Sequence, residues 1–283
     1  MGVSDYDVKE TDFDRSKSEQ YELSTLLGME SFAYLVIEKR SRLILAFRSQ
    51  PLVNSSTASG WAAHLQRAVM QDDLLRLGLI KSNFTAILAS RLTLVPGRLF
   101  TVGKEATYLE SLTNLGLDDR CRSDELPELG TQLVYALAEE QSAAINRRFS
   151  PLRLQHYATG LLRCWYRHNS QSGNRAVYAA VRDRQLTLAA LDAGKLHFFN
   201  VFPFANAQDA LYFHLLAYQQ CGWSASRSPL LLCGDILEDS EIYRQLYRFV
   251  EDIRFLNFDH PTAVGPQLST LAPHLYCDLL CQF

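Results

Sequence analysis

The sequence predicts an α/β protein made of two similar halves, because one order of strands and helices occurs twice. Three short apolar segments with the length and composition of β-strands lie near the start of the chain, and three more lie in its second part. Each triplet is followed by a helix-like stretch and by further strand and helix signals, in the order βββαβα plus a last strand. The six strand segments are Tyr21–Leu27, Phe32–Glu38, Arg42–Arg48, Ala176–Arg182, Leu186–Leu191 and Leu196–Phe202.

The connections within each triplet are short, which predicts antiparallel meanders. Gly28–Ser31 and Lys39–Ser41 join the first three strands, and Asp183–Gln185 and Asp192–Lys195 join the second three. The segment Phe32–Ile37 is almost continuously apolar, as expected of a strand that is covered on both faces.

The remaining elements follow from helical spacing, capping residues and apolar runs. In the first half we predict helices over Ser59–Leu77, Ala106–Leu115 and Glu139–Phe149, and strands over Phe84–Ala89, Leu92–Pro96 and Leu133–Leu137. In the second half we predict a polar loop over His168–Arg175, a helix capped by Asn206 and Asp209, a strand over Pro229–Cys233, a helix over Ser240–Val250 and a strand over Ile253–Phe258.

These elements suggest a three-part organisation. Residues 1–19 are polar and charged, which predicts a flexible tail. We assign residues 20–152 to the first half and residues 153–283 to the second, with the boundary at Ser150-Pro151 and Leu154–His168 as the element that couples them.

Composition narrows the class of protein. The chain has 283 residues, 47% of them apolar, which is enough to build a core in each half. Its 28 basic and 31 acidic residues give a net charge of −3, so we expect no nucleic-acid partner. No apolar run has membrane-crossing length and no secretory signal pattern begins the chain, so we expect a cytoplasmic protein without a membrane span.

The six cysteines form no C-x-x-C pair and lie mostly in apolar stretches, so we expect reduced, mostly buried thiols. His274, Cys277 and Cys281 supply only three candidate ligands in an apolar helix-like run. We therefore predict a core-packing helix there and no metal site.

Six short blocks give the sequence a family resemblance. They are Tyr21–Ser24, Thr93–Phe100, Tyr108-Leu109, Gly194–Phe202, Asp209–Tyr212 and Pro229–Gly234. With these blocks, the chain resembles a bacterial family of uncharacterised proteins to which the actin-like ATPase fold is assigned: two ribonuclease-H-like halves around a cleft. The resemblance spans roughly residues 20–260 and implies a fold without an activity; by analogy, pilus-assembly and secretion scaffolds of the actin-like type are the expected relatives.

The resemblance directs attention to the phosphate loops, which in an active actin-like ATPase join the first two strands of each half. Such a loop combines an acidic residue for the metal with small residues that let backbone N–H groups reach phosphate. The first loop keeps Gly28 but has Leu26 and Leu27 where an Asp is expected, followed by bulky Met29. The second has Asp183 between two arginines, Arg182 and Arg184, and no glycine. Neither loop supplies both parts.

Gly234 follows an apolar strand, at the place where the fold would hold adenosine, although a single glycine there is also ordinary turn chemistry. Gly194-Lys195 lacks the first glycine and the following Ser or Thr of a P-loop. Gly28, Asp183 and Gly234 are therefore named only as the positions that would contact a nucleotide if one binds.

Other chemistries have less support. A metal-dependent nuclease needs a carboxylate cluster, and Glu22 and Glu38 on the first-half strands have no Asp beside them. No nucleophile-elbow motif is present, and His197 and His214 are interpreted as structural. Asn200 and Asp209 are interpreted as a fold-defining hydrogen bond and a helix cap, and the aromatic run Phe198–Phe204 is the alternative, a partner surface.

We therefore expect a non-catalytic actin-like binding or scaffold protein with degenerate phosphate loops, a protein partner, no cofactor, and no catalytic or metal-ligating residue. The alternative is a divergent ATP-binding kinase or ATPase that uses Mg-ATP. The deciding feature would be a carboxylate and backbone N–H groups offered to a metal phosphate in the cleft; Met29, Arg182 and Arg184 side chains filling it would exclude the ATPase.

Overall fold

The computed structural model describes residues 5–53, 55, 57–78, 80–257 and 262–283. The chain divides into two units: residues 1–159, 260–271 and 282–283 form the first, and residues 160–259 and 272–281 form the second. The helices and strands of the first unit are β1 Tyr6–Lys9, β2 Tyr21–Leu27, β3 Ser31–Glu38, β4 Leu43–Pro51, α1 Ala58–Gln71, β5 Ser82–Ile87, β6 Leu92–Pro96, α2 Glu105–Glu110, β7 Asp119–Leu126, β8 Thr131–Ala138, α3 Glu139–Phe149, β9 Arg153–His156 and, near the end of the chain, β15 Ala263–Val264.

The division falls within helix α4, Tyr157–Ser172, at Thr159. The remaining elements belong to the second unit. They are β10 Ala176–Arg182, β11 Gln185–Asp192, β12 Lys195–Pro203, α5 Ala207–Cys221, β13 Leu230–Gly234, α6 Glu241–Leu246, β14 Ile253–Phe255 and, after a short 3-10 turn at Pro273–Leu275, α7 Cys277–Leu280.

The main sheet of the first unit has the strand order β1-β4-β3-β2-β5-β9, and β15 pairs with β4. β2, β3 and β4 form an antiparallel meander, and β5 and β9 run parallel to β2. Helix α1 is capped by Thr57, whose side chain accepts the Gly60 N–H, so it begins at Ala58, one residue before the predicted start at Ser59. Its buried residues Trp61, Leu65 and Val69 recur every fourth position, which is the spacing of one helix face.

A separate three-stranded sheet, β6-β8-β7, is inserted in the first unit between β5 and α3. Val95, Leu109, Val134 and Ala136 form its core, with α2 contributing Leu109. We call this part, residues 92–138, the inserted sheet. The sequence predicted β6 and β8 but missed β7, whose sequence DRCRSDEL is charged because β7 is an edge strand.

The sheet of the second unit has the order β12-β11-β10-β13-β14. β10, β11 and β12 form an antiparallel meander, and β13 and β14 run parallel to β10. The two main sheets therefore share one order of five strands, three antiparallel and two parallel, as in ribonuclease-H-like units. This agrees with the predicted α/β class and places all six predicted meander strands within three residues of their observed bounds.

Three predicted helices end too late: α2 stops at Glu110 rather than Leu115, α6 stops at Leu246 rather than Val250, and α1 is also shorter than predicted. α1 stops at Gln71, not Leu77, because the Asp72 carboxylate accepts the N–H groups of Leu74 and Leu75 and turns the chain. The predicted loop at residues 168–175 begins later, since α4 continues to Ser172. The cap of α5 is as predicted: Asn206 Oδ1 accepts the Asp209 N–H at 2.9 Å.

The structure also departs from the predicted tail and from the predicted domain bounds. Tyr6–Lys9 pairs with β4, and a 3-10 helix covers Arg15–Gln20. The Glu10 carboxylate accepts the N–H groups of Gln267 and Leu268, at 3.2 and 2.7 Å. Residues 262–271, assigned from the sequence to the second half, therefore lie with the first unit. These contacts join residues about 260 positions apart, which no local pattern reports.

Among the described residues, no helix combines the length and the apolar character that a bilayer crossing requires.

Candidate functional site

The hairpin turn of the first unit, which holds Gly28, is tied to the protein through its backbone. The Gly28 N–H donates to the Ser31 carbonyl at 2.9 Å, and the Gly28 carbonyl accepts the Trp61 indole N–H at 2.8 Å. Trp61 is buried on α1, so the helix holds the turn in place. Both backbone polar groups of Gly28 are thus used inside the protein, whereas a phosphate loop directs N–H groups at its ligand.

A cavity of about 210 Å³ lies beside this turn, at the carboxyl end of β5. Its wall includes Met29, the helix cap Thr57 and the residues that follow β5, and Arg91 is the one charged residue among the described residues that line it. The Arg91 guanidinium makes a two-pronged contact with the Asp119 carboxylate, with 2.6 Å between Nη2 and Oδ1. The hydrogen bonds from Arg91 hold the pKa of Asp119 below its usual range. The cavity wall therefore offers a neutralised cation and no carboxylate among its described residues.

The hairpin turn of the second unit consists of Asp183 and Arg184. Both residues have positive φ, 55° and 53°, and Arg182 pairs directly with Gln185 across the turn. This is the backbone of a two-residue type I′ hairpin, in which Asp is favoured and Arg is strained. The turn therefore has two residues, and neither of them is glycine.

Gly234 is required by a close approach between two strands. Its φ is +87°, and a Cβ atom at this position would lie 2.3 Å from the Val181 carbonyl oxygen. The same oxygen accepts the Asp235 N–H at 2.8 Å. Val181 and Gly234 are register partners in the parallel pair β10–β13. Asp183 and Gly234 therefore lie at the same end of this sheet, the carboxyl end of these two strands. Gly28, the third predicted position, lies in the first unit.

A buried ion pair between Arg182 and Asp278 lies at the same end of this sheet, and the sequence did not indicate it. Arg182 Nε lies 2.7 Å from Asp278 Oδ2, and Arg182 Nη2 lies 3.0 Å from Oδ1. Arg182 Nη2 also donates to the Leu275 carbonyl. Both side chains are almost completely buried. Asp278 lies in the apolar run CDLLC near the end of the chain. Nothing in this run indicates that its one charged residue pairs with a residue on β10.

His274 fixes the same C-terminal segment against the turn that follows β13. Its Nε2–H donates to the Ile236 carbonyl at 2.8 Å, and its ring stacks on Phe255 with 4.0 Å between centroids. Burial lowers the pKa of His274, so the neutral ring is favoured. Together with Asp278, this residue places residues 272–281, which we call the C-terminal segment, over the carboxyl end of β13.

The remaining residues singled out in the sequence have local roles. Asn200 is exposed, and its Oδ1 accepts the neighbouring Val201 N–H at 2.8 Å, which corrects the expectation of a fold-defining bond. Asp209 Oδ2 accepts the Ala205 N–H at 2.9 Å, next to the α5 cap. Phe198 and Phe202 pack against the core of the second unit. No group of three or more His, Cys, Asp or Glu side chains within the described ranges is arranged to hold a metal ion.

Comparison with known proteins gives a family and a fold. The sequence profile of the family described as "Protein of unknown function (DUF3822)" matches residues 10–253. No curated protein matches the sequence significantly.

Two solved structures show the fold. A protein of unknown function with the actin-like ATPase fold from Bacteroides thetaiotaomicron is 18% identical, covers 95% of this chain and 97% of its own, and superposes with a TM-score of 0.74. The structure of the PilM-PilN type IV pilus biogenesis complex contains a chain that is 14% identical, with 92% and 97% coverage and a TM-score of 0.61. The fold is therefore that of the actin-like ATPases, as the resemblance implied.

Proposed function

We propose, from the premise that this chain belongs to the DUF3822 family of proteins of unknown function, that it is a non-catalytic binding or scaffold protein. In this proposal the chain keeps the actin-like ATPase fold without functional phosphate loops. Its ligand is another protein, and it acts by presenting surfaces rather than by hydrolysing a nucleotide.

The observation that carries the proposal is the use of Arg182. This residue ends β10, directly before the second hairpin turn, and its guanidinium is engaged by the Asp278 carboxylate and the Leu275 carbonyl. A guanidinium that is not engaged in this way is a common ligand for phosphate groups. Because Arg182 is held in a buried internal ion pair, we infer a structural role for the strand ends at which a nucleotide would be expected.

The backbone at Gly28, in the first hairpin turn, and at Gly234, the last residue of β13, gives further support. The Gly28 N–H donates to the Ser31 carbonyl, and the Gly28 carbonyl accepts the Trp61 indole N–H. At Gly234 the absence of a Cβ atom lets the backbone lie close to the Val181 carbonyl. Each of these glycines thus has a structural reason to be present that involves no ligand.

A protein partner is supported by apolar side chains that reach solvent on the inserted sheet. Leu117 is fully exposed and Val102 is 85% exposed, on the segments that flank α2. Leu99 and Leu112, also exposed, lie on the same two segments. All four lie within residues 99–117, and several exposed apolar residues on one short stretch of chain favour a protein-binding surface. The PilM-PilN structure, in turn, is a complex of a protein with this fold.

Thermal melts with Mg-ATP, Mg-ADP and Mg-GTP test the catalytic side of the proposal. A ligand at about 100 times its Kd stabilises a native protein by about 2.7 kcal/mol, which moves the midpoint by several degrees. We expect no nucleotide-specific shift at millimolar concentrations. A shift with Mg-ATP would favour the alternative, an ATP-binding kinase or ATPase with divergent loops.

Site-specific photo-crosslinking tests the partner. A photoreactive residue at position 117 is expected to give one discrete crosslinked protein in cells that produce the chain. The same residue at Tyr212, an exposed position on α5, is the matched control. Equal labelling from both positions would contradict a binding surface on the inserted sheet.

A further inference from the structure

A cleft of about 880 Å³ lies within the second unit, at the amino ends of β10, β13 and β14. Its described wall includes Ala176, which starts β10, Pro229, which precedes β13, and Asp252, which precedes β14. A volume of this size is typical of small-molecule sites. Asp183 and Gly234 lie at the opposite, carboxyl ends of β10 and β13, so the cleft is separate from the positions at which the fold would hold a nucleotide.

The charged side chains in the described wall of this cleft leave one positive charge unbalanced. Arg175 Nε lies 2.9 Å from Asp192 Oδ2, so these two charges form a pair. Arg254 holds the Asp252 carboxylate with two hydrogen bonds, of 2.8 and 2.6 Å. The third guanidinium, that of the exposed Arg227, is paired with no carboxylate among the lining residues that the structure describes.

We propose that this cleft binds a small organic acid with a single carboxylate, and that this carboxylate pairs with Arg227. The planar guanidinium group can donate two parallel hydrogen bonds to a carboxylate. A monoanion also neutralises the one unbalanced charge of the wall, whereas a phosphate ester, with a charge of about −1.5 to −2 at pH 7, would leave an excess of negative charge. The inference is independent of the proposed binding or scaffold function.

The helix ends at the cleft also favour a single negative charge on the ligand. Ser172, the last residue of α4, and Gly222, the residue directly after α5, both line the cleft. The C-terminal end of a helix carries a partial negative charge. Two such ends oppose a second negative charge in the same cleft, so a monocarboxylate is favoured over a dianion.

The neutral part of the wall suits a ligand with a hydroxylated body. Ser172, Asn174 and Ser224 contribute hydroxyl and amide groups to the cleft. Beside them lies the partly exposed ring of Trp223, with the Arg175 guanidinium 5.6 Å from the ring centroid. An aromatic ring with a polar N–H group contacts both the apolar and the polar parts of a ligand. We therefore expect the organic acid to be a sugar acid.

Trp223 allows binding in the cleft to be followed by fluorescence. The chain has three tryptophans, and Trp61 and Trp165 are completely buried, so acrylamide quenching reports mainly on Trp223. The full-length chain is titrated at constant ionic strength with sodium gluconate, with its uncharged analogue sorbitol and with glycerol phosphate as a dianion. We expect gluconate to protect Trp223 from quenching with saturation in the low millimolar range, and sorbitol to have no effect. Isothermal titration calorimetry should give the same affinity for gluconate.

Two matched variants test the role of Arg227. Arg227→Gln should weaken gluconate binding about tenfold or more, because it removes the charge-assisted hydrogen bonds to the carboxylate. Arg248→Gln removes an exposed guanidinium outside the described wall of the cleft and should leave the affinity unchanged. No saturable protection by gluconate, equal effects of gluconate and sorbitol, tighter binding of glycerol phosphate, or unchanged affinity in Arg227→Gln would each overturn the proposal. None of these measurements involves Mg-ATP, so their failure is distinct from a failure of the proposed function.

Discussion

Arg182 and Asp278 form a buried, two-pronged ion pair although they lie 96 residues apart in sequence. The pair joins the end of β10 to α7. The charged groups of both side chains are buried away from solvent. A buried charge is tolerated only with a partner, so each residue makes the other's position possible.

Removing one partner of this pair should destabilise the protein strongly. Asp278→Asn removes the charged carboxylate that accepts two hydrogen bonds from the buried Arg182 guanidinium, and we expect the free energy of unfolding to fall by about 3–5 kcal/mol in urea titrations. The exposed pair Arg254–Asp252 is the control, and Asp252→Asn should cost less than about 1 kcal/mol. Equal effects of the two substitutions would contradict the buried pair.

Gly234 should resist substitution more than a glycine in open space. Gly234→Ala combines a positive φ with a Cβ atom placed against the Val181 carbonyl, for a cost on the order of 2–4 kcal/mol. Gly222→Ala has the same type of backbone, with φ +65° and no atom within 4 Å of the new Cβ, and should cost about 1–2 kcal/mol. Chemical denaturation of both variants measures the difference, and a smaller loss at Gly234 than at Gly222 would be inconsistent with the close approach.

The indole of Trp61 should matter for its N–H group as well as its volume. Trp61→Phe keeps an aromatic ring in the core but leaves the buried Gly28 carbonyl without its donor, which we expect to cost about 1–3 kcal/mol beyond the change in packing. Hydrogen exchange of the hairpin amides at Leu27–Ser31 should accelerate. Unchanged exchange there would show that α1 does not hold the turn.

Stability should fall on acidification because of His156. This buried ring donates from Nε2 to the Ala89 carbonyl and accepts the Ala158 N–H at Nδ1, so it has no room for a second proton. Burial lowers its pKa from 6.5 to about 4. In the unfolded chain His156 therefore takes up a proton below pH 6.5, whereas in the folded chain it stays neutral down to about pH 4. The resulting stability is fully present above pH 6.5 and is lost as the pH falls towards 4, by about 3 kcal/mol.

Urea titrations between pH 7 and pH 4 check this slope. In His156→Gln the slope should be reduced relative to the wild type, whereas His197→Gln, which removes an exposed imidazole, should retain it. The same slope in the wild type and in His156→Gln would rule out His156 as its source.

The sequence predicted the two meanders well because each is local. Strands such as Phe32–Glu38 and Ala176–Arg182 are apolar over their whole length and bounded by short turns, so their bounds follow from pattern and turn chemistry. The family resemblance also implied the fold that the comparisons support.

The contacts that shape the candidate site could not be predicted in this way. Tyr6–Lys9 is a strand because it pairs with β4, and Glu10 is buried because it accepts N–H groups of Gln267 and Leu268. Arg182 was noted as a departure from a phosphate loop, but its partner Asp278 lies in a segment that resembles an apolar helix. Partners this far apart in sequence leave no periodic signal within either segment.

A chain without a working nucleotide site is tested most directly by hydrogen–deuterium exchange with and without millimolar Mg-ATP, resolved to the two hairpin turns and the end of β13. We expect unchanged exchange at Gly28, Arg184 and Asp235, because this chain uses the strand ends for its own contacts. Nucleotide-dependent protection at these amides would contradict it and would identify a working nucleotide site.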